Sequence, residues 1–222
     1  MKKKLVVMLA AILVVALSLT LLAACGKKGS DDDTPSDVSR MISAFYAGET
    51  DNFAVTFERG FKEEPFLADG KTCETVQFAV LTVTPLKSGE YESVSYTLTG
   101  ESASASGTLT AGTFGDFSGA VEGDFSPLSV TLTAGEITEE IQLDNVLADC
   151  LSGYDAAELA RKQFADRIAA ETEAGTYSRE VFVKLITGDR ITYYYYVSFI
   201  GEGVDYWAVL IDPATGEIVS EK

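Results

Sequence analysis

Residues 128–143 have the sequence LSVTLTAGEITEEIQL, and their pattern decides the fold class. Apolar residues alternate with polar ones on both sides of Ala134-Gly135, which is typical of two half-buried strands joined by a tight turn. The same period of two extends back to Phe53 and is interrupted by turns that contain glycine. It predicts seven strands, at residues 53–58, 75–84, 93–99, 107–110, 117–122, 128–133 and 137–143. Seven short strands with regular turns favour an antiparallel β-sandwich, of which the immunoglobulin fold is one form.

A different spacing precedes these strands. Apolar residues recur at intervals of three and four, which predicts a short helix; they are Val38, Met41, Ile42 and Phe45. Gly48 is placed to end that helix. The pattern therefore predicts one domain over residues 37–150, a β-sandwich with a short leading helix.

The last third of the chain has a mixed pattern. Asp155 and Glu158 have the spacing of a capping box, so a helix is expected to begin at Asp155, and Gly175 is placed to end it. Three strands and a final hairpin are expected to follow, at residues 180–186, 191–200, 206–212 and 217–220. We expect a helix packed on an antiparallel sheet over residues 151–222, so the fold class predicted for the whole chain is α+β.

The middle strand of this predicted sheet is apolar on both faces. One face carries Tyr193, Tyr195, Val197 and Phe199, and the other carries Tyr194, Tyr196 and Ile200. A sheet that is apolar on both faces must be covered on both faces. The helix can cover one face, and the β-sandwich, a second copy of the chain or a protein partner must cover the other. Tyr194 and Tyr196 are our candidates for contact with a partner.

Three segments of this region resemble the PepSY family. They are the helix AAELARKQFADRI, the aromatic strand YYYYVSFI and the terminal hairpin YWAVLIDPATGEIV. The resemblance covers residues 154–222 and nothing before them. It implies a helix plus antiparallel-sheet module of the kind found in propeptides of secreted peptidases and in envelope proteins, where such modules are thought to bind or restrain peptidases. The family has no catalytic residues to carry over.

The first 25 residues have the layout of a secretory signal. Lys2, Lys3 and Lys4 precede an apolar run, and Leu-Ala-Ala-Cys closes it. The cysteine in this position, Cys25, resembles the lipobox cysteine of bacterial lipoproteins. The resemblance implies that residues 1–24 are a signal peptide and that Cys25 carries a diacylglycerol. Residues 25–36 then form a solvated tether, because no apolar residue follows Cys25 within it.

An uncleaved transmembrane helix is the alternative for the same segment, since twenty residues just cross a bilayer. Either alternative predicts that the protein is held at the cell membrane on its extracytoplasmic face. The expected membrane partner is the bilayer itself, reached through the lipid on Cys25.

The charge of the chain excludes one class of partner. The sequence has 17 Lys and Arg against 34 Asp and Glu, and the signal peptide holds three of the lysines. Nucleic-acid binding depends on phosphate neutralisation by Lys and Arg, so we expect no nucleic-acid partner. Acidity of this kind also keeps a surface protein soluble.

Two cysteines remain once Cys25 is assigned to lipid. Cys73 and Cys150 form an even pair in an exported chain, which permits a disulfide. Two free thiols are the alternative, and the sequence alone leaves both open.

Side chains for the common catalytic mechanisms are missing from the sequence. It contains no histidine, which excludes Ser-His-Asp and Cys-His catalysis and histidine-bound zinc. Glu63-Glu64 and Glu139-Glu140 are adjacent pairs, and adjacent residues of a strand point to opposite faces, so neither pair can flank one bond. A carboxylate pair assembled from distant positions is left open. We predict no catalytic residue, no cofactor and no metal site.

These observations together predict a lipoprotein that is not an enzyme. We expect a binding or regulatory module whose partner is another protein, with an exported peptidase as the class that the PepSY resemblance implies. The alternatives are a structural component of an envelope complex and a hydrolase that uses carboxylates.

Overall fold

The computed structural model of this protein describes residues 37–222, except for residues 88–90, 113–114, 124–125, 174–175 and 204. The predicted signal peptide, the tether and Cys25 lie outside the described residues. Neither of the two helices in the described part of the chain has the length and apolar character needed to cross a bilayer.

The first part of the chain consists of strands. They are β1 (Val38–Glu49), β2 (Phe53–Glu63), β3 (Thr75–Pro85), β4 (Ser93–Gly100), β5 (Ser104–Ala111), β6 (Phe117–Ala120), β7 (Pro127–Ala134), β8 (Ile137–Gln142) and β9 (Asp144–Asn145). The seven strands predicted from the period of two correspond to β2 to β8, so their positions are confirmed. The hairpin of β7 and β8 turns at Gly135, whose φ of 60° lies in the left-handed region that favours glycine.

The second part begins with two helices. They are α1 (Gly153–Gln163) and α2 (Ala165–Glu171), and the strands that follow are β10 (Thr172–Glu173), β11 (Thr176–Tyr177), β12 (Glu180–Thr187), β13 (Tyr193–Ile200), β14 (Tyr206–Ile211) and β15 (Ile218–Glu221). The cap of α1 differs from the prediction, because Ser152 is the N-cap and exchanges hydrogen bonds with Asp155. Asp155 is therefore the third helical residue of a capping box that begins three residues earlier than expected.

The predicted fold class is wrong. The described residues form one large mixed sheet of 13 strands, with 58% of residues in strands and 10% in helices, rather than a β-sandwich followed by a helix plus antiparallel-sheet module. The order of the sheet is β15-β14-β13-β12-β1-β2-β3-β6-β5-β4-β7-β8, with β9 paired to β1. The reason is that β12 pairs in parallel with β1, so the strands on both sides of residue 150 join one sheet.

The predicted leading helix is also wrong, since residues 38–49 form β1. The pairing of β1 is irregular twice, between Val38 and Arg40 against β12 and between Ile42 and Ala44 against β2. Each bulge shifts the alternation of side chains by one residue. Val38, Met41, Ile42 and Phe45 therefore all enter the same core, and a bulged strand reproduces the spacing of a helix.

Strand β1 also closes the first part of the sheet into a ring. β9 continues from β8 and pairs with Tyr46 and Ala47 of β1. Gly48 allows this approach, because a Cβ atom there would overlap the backbone carbonyl oxygen of Gln142. The ring encloses a first core, whose largest fully buried side chains include Phe53, Phe57, Leu81, Leu98, Leu109, Leu132 and Ile141.

A second core lies between the helices and the sheet formed by β1 and β12 to β14. Its buried residues include Ala156, Ala157 and Ala160 of α1 together with Val181, Val183, Tyr195, Val197, Phe199, Trp207, Val209 and Ile211. The Tyr195 hydroxyl donates a hydrogen bond of 2.7 Å to the Leu151 carbonyl, which satisfies its polar atom inside the core. The helices therefore cover one of the two apolar faces of the sheet formed by β12 to β14.

Candidate functional site

The opposite face of β12 to β14, which we call the outer face, is not covered by the helices. Because side chains alternate along a strand, the residues between the core positions point to it. At the centre of this face Ser198 and Ala208 are buried. The seven residues around them that bear on the site are Phe182, Lys184 and Ile186 on β12, Tyr194 and Tyr196 on β13, and Tyr206 and Leu210 on β14. Tyr206 is 38% exposed and the other six are half-buried. Tyr194 and Tyr196, the predicted partner-binding residues, both lie on this face.

Two tyrosine and two lysine side chains meet on the outer face. The Lys184 ammonium lies 5.2 Å from the centre of the Tyr196 ring, and the Lys222 ammonium lies 4.2 Å from the centre of the Tyr206 ring. The Lys222 ammonium also donates a hydrogen bond to the Tyr206 hydroxyl. The Tyr206 side chain lies close enough to Tyr196 to help raise the pKa of the Tyr196 hydroxyl. We call these four residues the Tyr–Lys cluster.

The electrostatics of the cluster follow from these contacts. Hydrogen bonding to Lys222, and then its positive charge, lowers the pKa of the Tyr206 hydroxyl. Burial is the main cause that raises the pKa of Tyr196, and the neighbouring Tyr206 adds to it. Each hydroxyl group can donate and accept hydrogen bonds in its protonated form.

Tyr194 stands beside this cluster rather than in it. It pairs with Ile186 across β12 and β13, whereas Tyr196 pairs with Lys184. The register thus brings Tyr196 to the lysines and places Tyr194 over an aliphatic neighbour. The alternation of side chains along β13 predicted that the two tyrosines share a face. The positions of Lys184, Tyr206 and Lys222 beside them depend on how the strands pair, which the sequence alone does not show.

The charge of the outer face differs from that of the chain as a whole. Among the described residues, neither Lys184 nor Lys222 forms an ion pair with a carboxylate. The acidic residue at an outer-face position of β12, Glu180, is completely buried. An acidic protein therefore presents two unpaired cations between aromatic rings on this face.

The two cysteines predicted as a possible disulfide are both free thiols in the structure. Cys73 is exposed, and Cys150 is half-buried with its thiol directed to the Val146 carbonyl at 3.5 Å. A hydrogen bond with Glu63 is the main cause that raises the pKa of Cys73, and burial is the main cause for Cys150. Because the thiolate is the reactive form, these environments disfavour nucleophilic roles for both.

Sequence reasoning missed a buried pair of carboxyl groups, Glu63 and Glu180, which we call the carboxyl pair. Glu63 is the last residue of β2, and Glu180 is the first residue of β12. Both strands flank β1, and each glutamate lies one residue beyond a pairing of its strand with the start of β1. The parallel pairing of β12 with β1 therefore brings the two side chains to the same end of the sheet.

Three of the four oxygen atoms of the carboxyl pair lack a hydrogen-bond donor. Glu63 is 1% exposed and Glu180 is 0% exposed. The Cys73 backbone N–H donates to Oε1 of Glu63 over 2.8 Å, but Oε2 of Glu63 and both carboxyl oxygens of Glu180 have no donor. The two carboxyl groups are within hydrogen-bonding reach of each other. A carboxylate only accepts hydrogen bonds, so a proton held between the two groups would supply the missing donor.

Burial is the main cause that raises the pKa of Glu180 to about 7, and the negative charge of Glu63 adds to it. The nearby Ser39 hydroxyl has the opposite effect on that pKa. Glu180 is thus neutral over much of the acidic range, unlike an exposed glutamate.

The buried position of the carboxyl pair does not favour the hydrolase alternative. A catalytic acid or base must come within hydrogen-bonding reach of a substrate atom, and these two groups are enclosed. Among the residues that the structure describes, no group of three or more His, Cys, Asp or Glu side chains is placed to hold a metal ion. The chemistry that the pair supports is the uptake and release of a proton. In comparisons with known proteins, no family model, no curated protein and no solved structure matches this chain.

Proposed function

We propose that this protein is a binding module, anchored to the extracytoplasmic face of the cell membrane through lipid on Cys25, and that it binds another exported protein through the outer face. The observation that carries the proposal is the Tyr–Lys cluster, in which two unpaired cations lie between aromatic rings on an otherwise acidic chain. The anchoring rests on the signal-like N-terminal sequence and the lipobox resemblance.

The cluster has the composition of a protein-binding surface. Tyrosines supply a large contact area with few rotatable bonds and are enriched at the centres of interfaces. Lysines that lack a carboxylate partner supply charge complementarity to an acidic segment. The partner is therefore a protein that presents carboxylates beside aliphatic or aromatic side chains, and exported peptidases are the first class to test.

Charge reversal at the cluster tests the binding proposal. The whole chain is recovered from native membranes after mild crosslinking, in three forms: wild type, the double variant Lys184→Glu and Lys222→Glu, and the control Lys162→Glu. Lys162 is an exposed lysine in the last turn of α1, away from the outer face. We expect one partner to be captured by the wild type and the control and to be lost from the double variant. Equal capture by all three forms would contradict the assignment of the surface.

Mass spectrometry of the native protein tests the anchoring. We expect a mature chain that begins at Cys25, with a mass increase that matches a diacylglyceryl group. The variant Cys25→Ser should leave the chain unlipidated and should reduce its recovery with membranes. An intact Met1 with an unmodified thiol at Cys25 would disprove this part of the proposal.

A further inference from the structure

Residues 64–74, between β2 and β3, lie over the carboxyl pair, and we call them the 64–74 loop. The loop is attached at a small number of points. Its Cys73 N–H donates to Glu63, and its Ala68 carbonyl accepts a 3.0 Å hydrogen bond from the Gly203 N–H in the β13–β14 hairpin. Asp69 forms an isolated bridge with Glu202 in the same hairpin.

Two further contacts place the loop against the start of β12. The Phe66 ring packs edge-on against the Phe182 ring with 5.6 Å between centroids. Gly70 has a φ of 74°, and a Cβ atom there would overlap the carbonyl oxygen of Ser178. Ser178 precedes Glu180 by two residues, so the loop closes over the end of β12 at which Glu180 is buried.

We propose that Glu63 and Glu180 share one proton, and that loss of this proton to solvent releases the 64–74 loop from the start of β12. With the proton in place, one carboxyl group donates to the other, and the buried pair carries a single negative charge. Without it, two carboxylates face each other with three oxygens that lack donors, and burial of both charges becomes unfavourable. Opening of the loop admits water to both groups.

The surroundings of the pair do not neutralise that second charge. The groups that face Glu180 are Ser39 on β1, Glu63 on β2, and Asp69 in the loop. Cys73, also in the loop, contacts Glu63. Among the described residues, no lysine or arginine forms an ion pair with either glutamate. The nearest cations on β1 and β2, Arg40 and Lys62, pair instead with Glu58 and Glu64, so water is the partner that stabilises the doubly charged form.

The direction of the pH effect follows from linkage. Glu180 has a raised pKa of about 7 in the closed form, against an ordinary value of 4.5 that applies once water reaches it. The closed form therefore holds its proton more tightly. The free energy by which this proton favours the closed form is fully present below about pH 4.5 and is lost as the pH rises to about 7. The equilibrium for opening rises by about tenfold per pH unit across this window and is constant above it.

Release of the loop would uncover Phe182, which lies two residues from Lys184 on the outer face. The exposed outer face would then extend towards the start of β12. The inference stands independently of the proposed binding function, because it concerns only the carboxyl pair and the loop.

Hydrogen exchange of the whole chain, followed by mass spectrometry of peptides that cover residues 64–74, tests the proposal. After correction for the intrinsic exchange rate, we expect exchange in the loop to rise by about fortyfold between about pH 5 and about pH 7 and to level off above about pH 8. Glu180→Gln, whose amide does not titrate, is expected to abolish this rise. Glu74→Gln changes an exposed carboxyl group of the same loop and should retain it.

A loop whose corrected exchange is constant over this range, or a rise that persists in Glu180→Gln, would overturn the proposal. A carbon-13 titration of the glutamate carboxyl groups in the wild type provides a measurement that needs no variant. We expect one carboxyl group to titrate near neutral pH, and titration of every glutamate near its ordinary value would equally overturn the proposal.

Discussion

The Phe199 ring stacks on the Trp207 ring with 3.9 Å between centroids and 13° between planes, inside the core that joins the helices to the sheet. Phe164, at the junction of α1 and α2, packs on the Trp207 ring, with 5.0 Å between the two centroids. The three rings thus connect two adjacent strands to the point at which the helix bends. Trp207 is the only tryptophan in the chain, so its fluorescence reports directly on this core.

Phe199→Ala is expected to lower the free energy of unfolding by about 3–5 kcal/mol, because it leaves a cavity beside Trp207. Urea unfolding followed by Trp207 fluorescence measures the change. Ile191→Ala is the matched control, since Ile191 is 84% exposed and its truncation should change stability by less than about 0.5 kcal/mol. Equal effects of the two substitutions would contradict the assigned core.

Gly48→Ala is expected to destabilise the protein by about 1–3 kcal/mol or more, because the added Cβ atom meets the backbone of Gln142 rather than a movable side chain. The pairing of β9 with β1 should be lost first, so the amides of Asp144 and Asn145 should exchange faster. Gly188→Ala supplies the comparison, since a Cβ atom at Gly188 has no neighbour within 4 Å. That change should be neutral or slightly stabilising.

Glu180→Gln is expected to flatten the dependence of the free energy of unfolding on pH. The pKa of Glu180 is raised to about 7 in the folded protein from 4.5, so the stability it provides below about pH 4.5 is lost as the pH rises to about 7. A shift of that size corresponds to roughly 3 kcal/mol. Urea unfolding at about pH 5 and about pH 7.5 should show this loss in the wild type and not in the variant. Glu101→Gln, at an exposed position, should behave as the wild type does.

Both cysteines of the folded domain should react as free thiols without prior reduction. Cys73 is exposed and Cys150 is half-buried, so alkylation of the native protein is expected to modify Cys73 faster. Peptide mapping of the alkylated, non-reduced protein measures both rates. Recovery of a peptide in which Cys73 is bonded to Cys150 would contradict the free thiols of the structure.

Local patterns in the sequence were sufficient to predict the strands but not their arrangement. Strands such as β4 and β7 have side chains that alternate in burial, so a period of two locates them well. β1 was mistaken for a helix because two bulges shift its alternation, and no local signal distinguishes a bulged strand from a helical turn. The parallel pairing of Val38 with Val181 joins distant parts of the chain, and it alone makes a single sheet from what the sequence presents as two domains.

The same distinction holds for the candidate site. Alternation along β13 placed Tyr194 and Tyr196 on one face, and the structure agrees. Glu63 and Glu180 have no sequence signal as a pair, because they lie on two strands that are far apart in the chain. Only the pairing of both strands with β1 brings their carboxyl groups together.

The central position of β1 also has a mechanical consequence. This strand is the first element of the described chain, and it is hydrogen-bonded to β2 along one side and to β12 and β9 along the other. A force applied to the chain at Asp37 acts along the length of β1, so it loads many of these hydrogen bonds in shear at the same time instead of separating them one by one. A domain pulled from its N-terminal end should therefore resist extension more strongly than one pulled from β15, which is bonded to β14 along a single edge.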